Sequence, residues 1–155
     1  MRLIRRLLVA VLVLSFSSAC GEEATVDDPA AYTQMFVQRA VDMYTAVGRN
    51  ATVAYYNDPA SMKESWYVFI IDRDGVIVAH AARPERRGLT LGDLVDVRGY
   101  EYGGQFAAVP EGEGRWVSYR RVNPTTNQQE KKHSWVRRVD GLLIGSGWYE
   151  SPSTT

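Results

Sequence analysis

The spacing of apolar residues changes abruptly at Ser65, and this change constrains the fold more than any other feature of the 155-residue chain. Before Ser65, apolar residues recur at three- and four-residue steps from Phe36 to Tyr55, which is typical of one apolar stripe on an α-helix. After Ser65, short β-branched and aromatic runs alternate with turn residues. The sequence therefore predicts one long helix followed by a sheet.

The ends of the helix are marked by residues with known capping preferences. Asp28 and Pro29 suit the N-cap and the first helical position, because the aspartate oxygen accepts a free amide and proline has no N–H to leave unpaired. Gly48 is expected to bend the helix. The helix should end at residues 57–59, since the residue before a proline is disfavoured in the helical region.

Five runs are predicted to form strands joined as hairpins. Turn residues at positions 72–75, 123–127 and 140–141 separate several of them. The predicted strands cover residues 66–71, 76–80, 115–122, 132–139 and 142–148.

The stretch between the second and third strands has no strand pattern. Residues 83–99 are rich in Arg, Gly and Asp and predict a packed loop with one helical turn, and residues 100–109 predict either a short helix or an irregular cover. We expect an α+β fold in which the long helix packs on one face of a five- to six-stranded antiparallel sheet and this insertion covers the other. A cavity for a small molecule is expected between the insertion and the sheet.

The N-terminal residues indicate export. A basic start, an apolar stretch and a run of small residues before Cys20 are typical of a signal peptide over residues 1–19, and the position of Cys20 resembles the lipidation site of a bacterial lipoprotein. Simple secretion with cleavage nearby is the alternative. Residues 20–28 are then a tether, residues 29–150 a single domain and residues 151–155 a disordered tail. The expected location is the periplasmic side of the bacterial cell envelope.

Charge and composition exclude several functions. Removal of residues 1–19 takes away three arginines and no acid, which leaves 15 basic and 18 acidic residues, so nucleic acid is not an expected partner. The sequence contains no nucleophile-elbow or phosphate-binding glycine motif, and His80 and His133 lack spaced ligands for a zinc site. We therefore expect no enzyme activity, no metal and no cofactor.

Ordered motifs over most of the chain resemble the single Cache domain of the second type. The first group comprises residues 67–75, residues 78–80, Pro84, Gly88, Leu91, residues 93–94 and Asp96. The second group comprises residues 114–119, residues 123–124, residues 132–136 and residues 141–149. The resemblance implies a PAS-like sheet and an extracytoplasmic sensor that binds a small organic anion such as acetate, propionate, pyruvate or lactate. Signalling is then expected through a separate membrane sensor or chemoreceptor. The alternative is a lipoprotein that uses the fold as a docking surface without a ligand.

Three side chains at positions that match the family are candidates for binding such an anion. Lys132 would supply the counter-charge, Tyr119 a hydroxyl donor and His80 a donor whose protonation couples binding to pH. Strand alternation predicts that Lys132 and Ser134 share one face, as do Val78 and His80. The alternatives are a solvated lysine, a core tyrosine and a capping or core histidine.

Two further groups are harder to assign from sequence. Trp66, Trp116 and Trp135 are candidates to line the pocket, although tryptophans on strands more often fill a core or cover an edge. Arg83, Arg86 and Arg87 form a basic cluster that suits an anion, but the favoured interpretation is a solvated loop.

Overall fold

The computed structural model describes residues 24–150. The predicted signal peptide, Cys20 and the C-terminal tail lie outside these residues. The long helix α1 spans Pro29–Asn57, with the Asp28 carboxylate accepting the Ala31 N–H at 3.0 Å and Pro29 in the first helical position. Gly48 has non-helical backbone angles (φ 78°, ψ 175°), so the predicted bend is present.

Five antiparallel strands form one sheet, and the predicted α+β architecture is confirmed. The strands are β1 (Phe69–Ile71), β2 (Ile77–His80), β3 (Gly114–Val122), β4 (Gln129–Val139) and β5 (Leu142–Tyr149). They lie in the order β2-β1-β5-β4-β3, so β1 and β5, which are far apart in sequence, are paired at the centre. The first strand is shorter than predicted because Trp66 pairs instead with Lys63 in an isolated bridge.

The two faces of the sheet carry separate apolar clusters. Helix α1 packs on one face, where Val37, Ala40 and Val41 meet Ile70 and Ile144. The other face is covered by residues 83–109, which we call the cover segment. This segment contains two 3₁₀ turns, Pro84–Arg86 and Leu91–Asp93, and the short helix α2 (Gly103–Ala107).

A β-bulge between β1 and β2 changes which residues of β2 lie on each face of the sheet. The register between β1 and β2 shifts between Ile70 and Ile71. As a result, Val78 packs with the cluster under α1, whereas His80 lies on the opposite face of the sheet. The prediction that Val78 and His80 share a face is therefore wrong, because strict alternation holds only for an unbroken ladder.

Candidate functional site

A small cavity lies between the sheet and the cover segment, on the side where the sequence predicts one. Its volume is about 30 Å³, which is room for about two water molecules. Most of its wall is apolar, as expected for a small-molecule site. The side chains that line it are Tyr67, Phe69, Ile71, Ile77, His80, Arg83, Arg86, Leu94, Tyr102, Phe106 and Tyr119.

Arg86 places a buried positive charge in the wall of this cavity. Pro84 starts a 3₁₀ turn, in which side chains three residues apart lie on the same side, so Arg83 and Arg86 both reach the cavity. Arg86 is only 8% exposed, and its Nη2 donates to the Tyr102 hydroxyl at 3.1 Å. Within residues 24–150, no carboxylate lies within 4 Å of the guanidinium. The interpretation of this cluster as a solvated loop is thus wrong for Arg86.

Lys132 is a second buried cation, placed next to the cavity wall rather than in it. It is 1% exposed, and its Nζ donates to the Tyr67 hydroxyl at 2.7 Å. The ammonium also lies 3.9 Å from the centre of the Tyr67 ring and 4.9 Å from that of Tyr149. Burial lowers the pKa of Lys132, and its contact with Tyr67 opposes that shift only in part. Tyr67 lines the cavity and bonds to Lys132, so the ammonium of Lys132 lies one side chain away from the cavity.

His80 lines the cavity in its neutral form. Its Nδ1 accepts the Arg83 backbone N–H at 3.1 Å, which leaves the ring proton on Nε2. Burial, together with the positive charges of Lys132 and Arg86, holds the pKa of His80 well below its usual value of 6.5. The ring is thus both a backbone cap, as in the alternative interpretation, and a donor available to a ligand.

Tyr119 also lines the cavity, and both its hydroxyl and its ring have contacts that fix its position. Its hydroxyl lies 2.9 Å from Ser134 Oγ, and its ring stacks on Tyr102 with centres 3.8 Å apart. Burial raises the pKa of Tyr119 well above 10, so the hydroxyl stays protonated at neutral pH. Tyr119 and Tyr102 join the sheet to the cover segment.

The three candidate tryptophans are not brought to the cavity. Trp66 donates its indole N–H to Thr33 Oγ1 at 3.0 Å and is fixed against α1. Trp116 and Trp135 contact each other, with ring centres 5.3 Å apart, on the opposite face of the sheet. This follows from alternation, since their neighbours Val117 and Val136 belong to the cluster under the cover segment.

From the sequence, Arg86 is a candidate for anion binding but a solvated loop is the favoured interpretation, and neither Tyr102 nor Tyr67 is proposed as a binding residue. A usable signal existed for Arg86, because a proline at the first position of a turn places Arg83 and Arg86 on one side. No local pattern distinguishes Tyr67 and Tyr102, which lie 35 positions apart and line the same cavity only through the tertiary fold.

His133, which the sequence analysis considered for zinc, has other partners. Its two ring nitrogens lie 2.7 Å from Ser118 Oγ and 2.7 Å from Glu150 Oε1. Among the described residues, no group of three or more His, Cys, Asp or Glu side chains is arranged to hold a metal ion. Within the same residues, no helix is both long enough and apolar enough to cross a membrane.

A sheet with one face covered by a long helix and the other enclosing a cationic cavity defines a domain of the small-ligand-binding class. The Cache domain family matches residues 58–154. The chain therefore belongs to the Cache family, whose members are sensory ligand-binding domains, and the resemblance seen in the sequence is confirmed.

Several solved structures have a similar fold, and two of them are described as sensor or chemosensory domains. The chain is 23% identical to a methyl-accepting chemotaxis protein from Vibrio parahaemolyticus, over 80% of this chain and 87% of that one, with a TM-score of 0.62. It is 18% identical to a periplasmic sensor domain of a chemotaxis protein, over 76% and 88% of the two chains (TM-score 0.56). A structure described as a Cache chemosensory domain that recognises carboxylic acids is 20% identical over 77% and 91% (TM-score 0.57). No curated protein matches the chain.

Proposed function

We propose that this protein is an extracytoplasmic sensor that binds a short organic anion, such as acetate, propionate, pyruvate or lactate, between the sheet and the cover segment. The observation that carries this proposal is the buried guanidinium of Arg86, which has no carboxylate partner among residues 24–150. Burial of an uncompensated charge is costly, and a ligand carboxylate would remove that cost through charge-assisted hydrogen bonds.

The other polar side chains can complete such a site. Arginine carries five N–H donors, and Arg86 uses one of them on Tyr102, so the guanidinium has donors left for both oxygens of a carboxylate. The Nε2–H of His80 and the hydroxyl of Tyr119 are further donors in the wall. Lys132 lies behind Tyr67, so it would attract the anion by its positive charge without contacting it.

The size of the cavity favours the smallest acids. The cavity has room for only about two water molecules, so binding of any of these acids requires the cover segment to move outward, and by more for a larger acid. We therefore expect two- and three-carbon monocarboxylates to bind in preference to dicarboxylates such as succinate.

The names of the structural neighbours support location outside the cytoplasm and a signalling role. One of them is described as a periplasmic sensor domain and another as recognising carboxylic acids. For this chain, we propose an anchor on Cys20 and an output through a separate membrane sensor or chemoreceptor.

The test compares two neighbouring arginines. Acetate, propionate, pyruvate, lactate and succinate are titrated into the purified protein by calorimetry and thermal shift, since a ligand selective for the native state raises the melting temperature. Arg86→Gln should abolish the shift, and Arg87→Gln is the matched control because Arg87 is exposed and bonds only to the Pro84 carbonyl in the cover segment. Binding that survives Arg86→Gln contradicts the assignment of Arg86. No binding of any acid by the wild-type protein favours a docking lipoprotein with an empty pocket.

A further inference from the structure

A second and larger cleft lies at the end of the β3–β4 hairpin, away from the cavity under the cover segment. Its volume is about 320 Å³, within the range of small-molecule sites. It shares no lining residue with the first cavity. The side chains that matter are Trp66, Asn123, Thr126, Glu130, Trp148 and Tyr149.

Glu130 places a buried negative charge in this cleft. The residue is 5% exposed, and its carboxylate accepts hydrogen bonds from Asn123 Nδ2 at 2.7 Å and from Thr126 Oγ1 at 2.5 Å. Both donors are neutral. In the part of the chain that the structure describes, no Lys, Arg or His nitrogen lies within 4 Å of Glu130. Lys132, two residues along the strand, directs its Nζ to Tyr67 instead.

Each oxygen of a carboxylate has two acceptor positions, and each oxygen of Glu130 uses one of them on a protein donor. A buried carboxylate whose two protein donors are both neutral still has acceptor positions for a cation. The hydrogen bonds hold the group in place before any ligand arrives.

Three aromatic rings form the other walls of the cleft. Trp66 is fixed by its indole hydrogen bond to Thr33, and the Tyr149 hydroxyl lies 3.4 Å from that of Tyr67. Trp148 stacks on His133 with ring centres 4.5 Å apart. The faces of tryptophan and tyrosine rings attract organic cations, and most strongly when water is excluded.

The geometry points to a second ligand site that takes a small organic ammonium ion. The positive nitrogen would lie against Glu130, and its carbon substituents would contact Trp66, Trp148 and Tyr149. A divalent metal ion does not suit these walls, because Ca²⁺ and Mg²⁺ require several oxygen ligands. The cleft lining has two carboxylates, Glu64 and Glu130, and within the described part of the chain no group of three or more His, Cys, Asp or Glu side chains is arranged to hold a metal ion.

The test uses choline and its uncharged counterpart of the same shape, 3,3-dimethylbutan-1-ol. Binding to the full protein is followed by calorimetry and by tryptophan fluorescence, since two indoles line the cleft. We expect choline to bind and the neutral alcohol to bind at least about tenfold more weakly, in line with the cation–π and charge contributions. Equal affinities, or no choline binding at millimolar concentration, would overturn the proposal.

Variants then assign the binding to this cleft. Glu130→Gln should weaken choline binding at least about tenfold, whereas Glu113→Gln, which removes an exposed acid outside the cleft, should leave it unchanged. If Glu130→Gln fails to fold, Trp148→Leu tests the same site by an independent route and should remove most of the fluorescence response. Choline affinity that is unchanged in a folded Glu130→Gln or Trp148→Leu variant contradicts the site.

The two ligand sites can be separated by one further variant. Arg86→Gln is expected to lose acetate and to keep choline, because Arg86 lies in the first cavity and not in the cleft. Failure of acetate binding alone would count against the proposed function, and failure of choline binding alone against the second site. Loss of choline binding in Arg86→Gln would place choline in the first cavity and overturn the cleft.

Discussion

Lys132 is a buried cation, and the burial of a charge costs free energy. Its ammonium is buried, bonds to the hydroxyl of Tyr67 and has no carboxylate within 4 Å among the described residues. Gly147 on the neighbouring strand leaves space for it, since a Cβ there would lie 2.8 Å from Lys132 Cε. Replacement of buried charges by apolar side chains of similar size is often stabilising.

We therefore expect Lys132→Met to raise the free energy of unfolding by about 1 kcal/mol or more. Tyr67 would still have the Tyr149 hydroxyl as a partner at 3.4 Å, so the substitution does not leave it without a hydrogen bond. Urea denaturation at pH 7 measures the change. Lys131→Met is the control, because Lys131 is half-exposed, pairs with Glu150 on the surface and should change stability little. A less stable Lys132→Met protein would show that the lysine is a net structural asset.

Lys132 and Arg86 differ in how well their burial can be predicted from the sequence. Lys132 stands out because alternation in a long strand places it on the inner face with Ser134, and the structure buries both. Arg86 sits in a segment without periodicity, where burial depends on how the segment folds back over the sheet. The rings of Tyr102 and Tyr119 stack only when that segment has folded over the sheet, so no local sequence pattern predicts this contact.

At the scale of elements, the long helix is the clearest example of a backbone constraint. Gly48 has φ 78° and ψ 175°, a region that is essentially restricted to glycine, and a Cβ there would meet no atom within 4 Å. The bend therefore depends on backbone freedom and not on the space available. It allows the second half of α1 to bring Tyr56 into the same cluster as Val37 and Val41.

Gly48→Ala is expected to destabilise the protein by about 1–3 kcal/mol, the cost of a side chain in this backbone region. Gly104→Ala is the matched control, because Gly104 lies in α2, has no positive φ and also has open space around its Cβ position. That control should be neutral or stabilising by about 0.4–1 kcal/mol. Chemical denaturation of both variants gives the comparison, and equal effects would contradict the role given to the bend.

Local patterns predicted the elements, and long-range pairing decided their arrangement. The period of α1, the Asp28 cap and the Asp140–Gly141 turn are each encoded within a few residues, so the helix and the β4–β5 hairpin were predictable. The pairing of β1 with β5 was not, because it joins residues more than 70 positions apart. The β-bulge next to Ile71 could not be predicted from the sequence either, and it places Val78 on the face of the sheet opposite to His80.

Across the domain, the two proposed sites have different lining residues and place an arginine in one and a glutamate in the other. Tyr67 and Tyr149, whose hydroxyls lie 3.4 Å apart, separate them. In the first cavity, which is roofed by the cover segment, Arg86 has no carboxylate partner among the described residues. In the cleft, which lies beside Pro29 where α1 begins, Glu130 has no cationic partner among those residues. The cleft is therefore close to the start of the folded domain, next to the predicted tether. A ligand in the proposed cleft would lie beside the start of α1, whereas an anion in the first cavity would lie between the sheet and the cover segment.

The attachment itself gives the last prediction. The sequence predicts that Cys20 becomes the lipidated N-terminus after removal of residues 1–19, and stable anchoring then depends on acyl chains on the thiol. Cys20→Ser should move the protein from the membrane fraction to the soluble periplasmic fraction, because serine cannot form the thioether. Fractionation with immunodetection measures this, and acetate binding by the released protein serves as a control for folding. Membrane association that is equal in both proteins would contradict the anchor, and a wild-type protein that is already soluble would identify the signal as one for simple secretion.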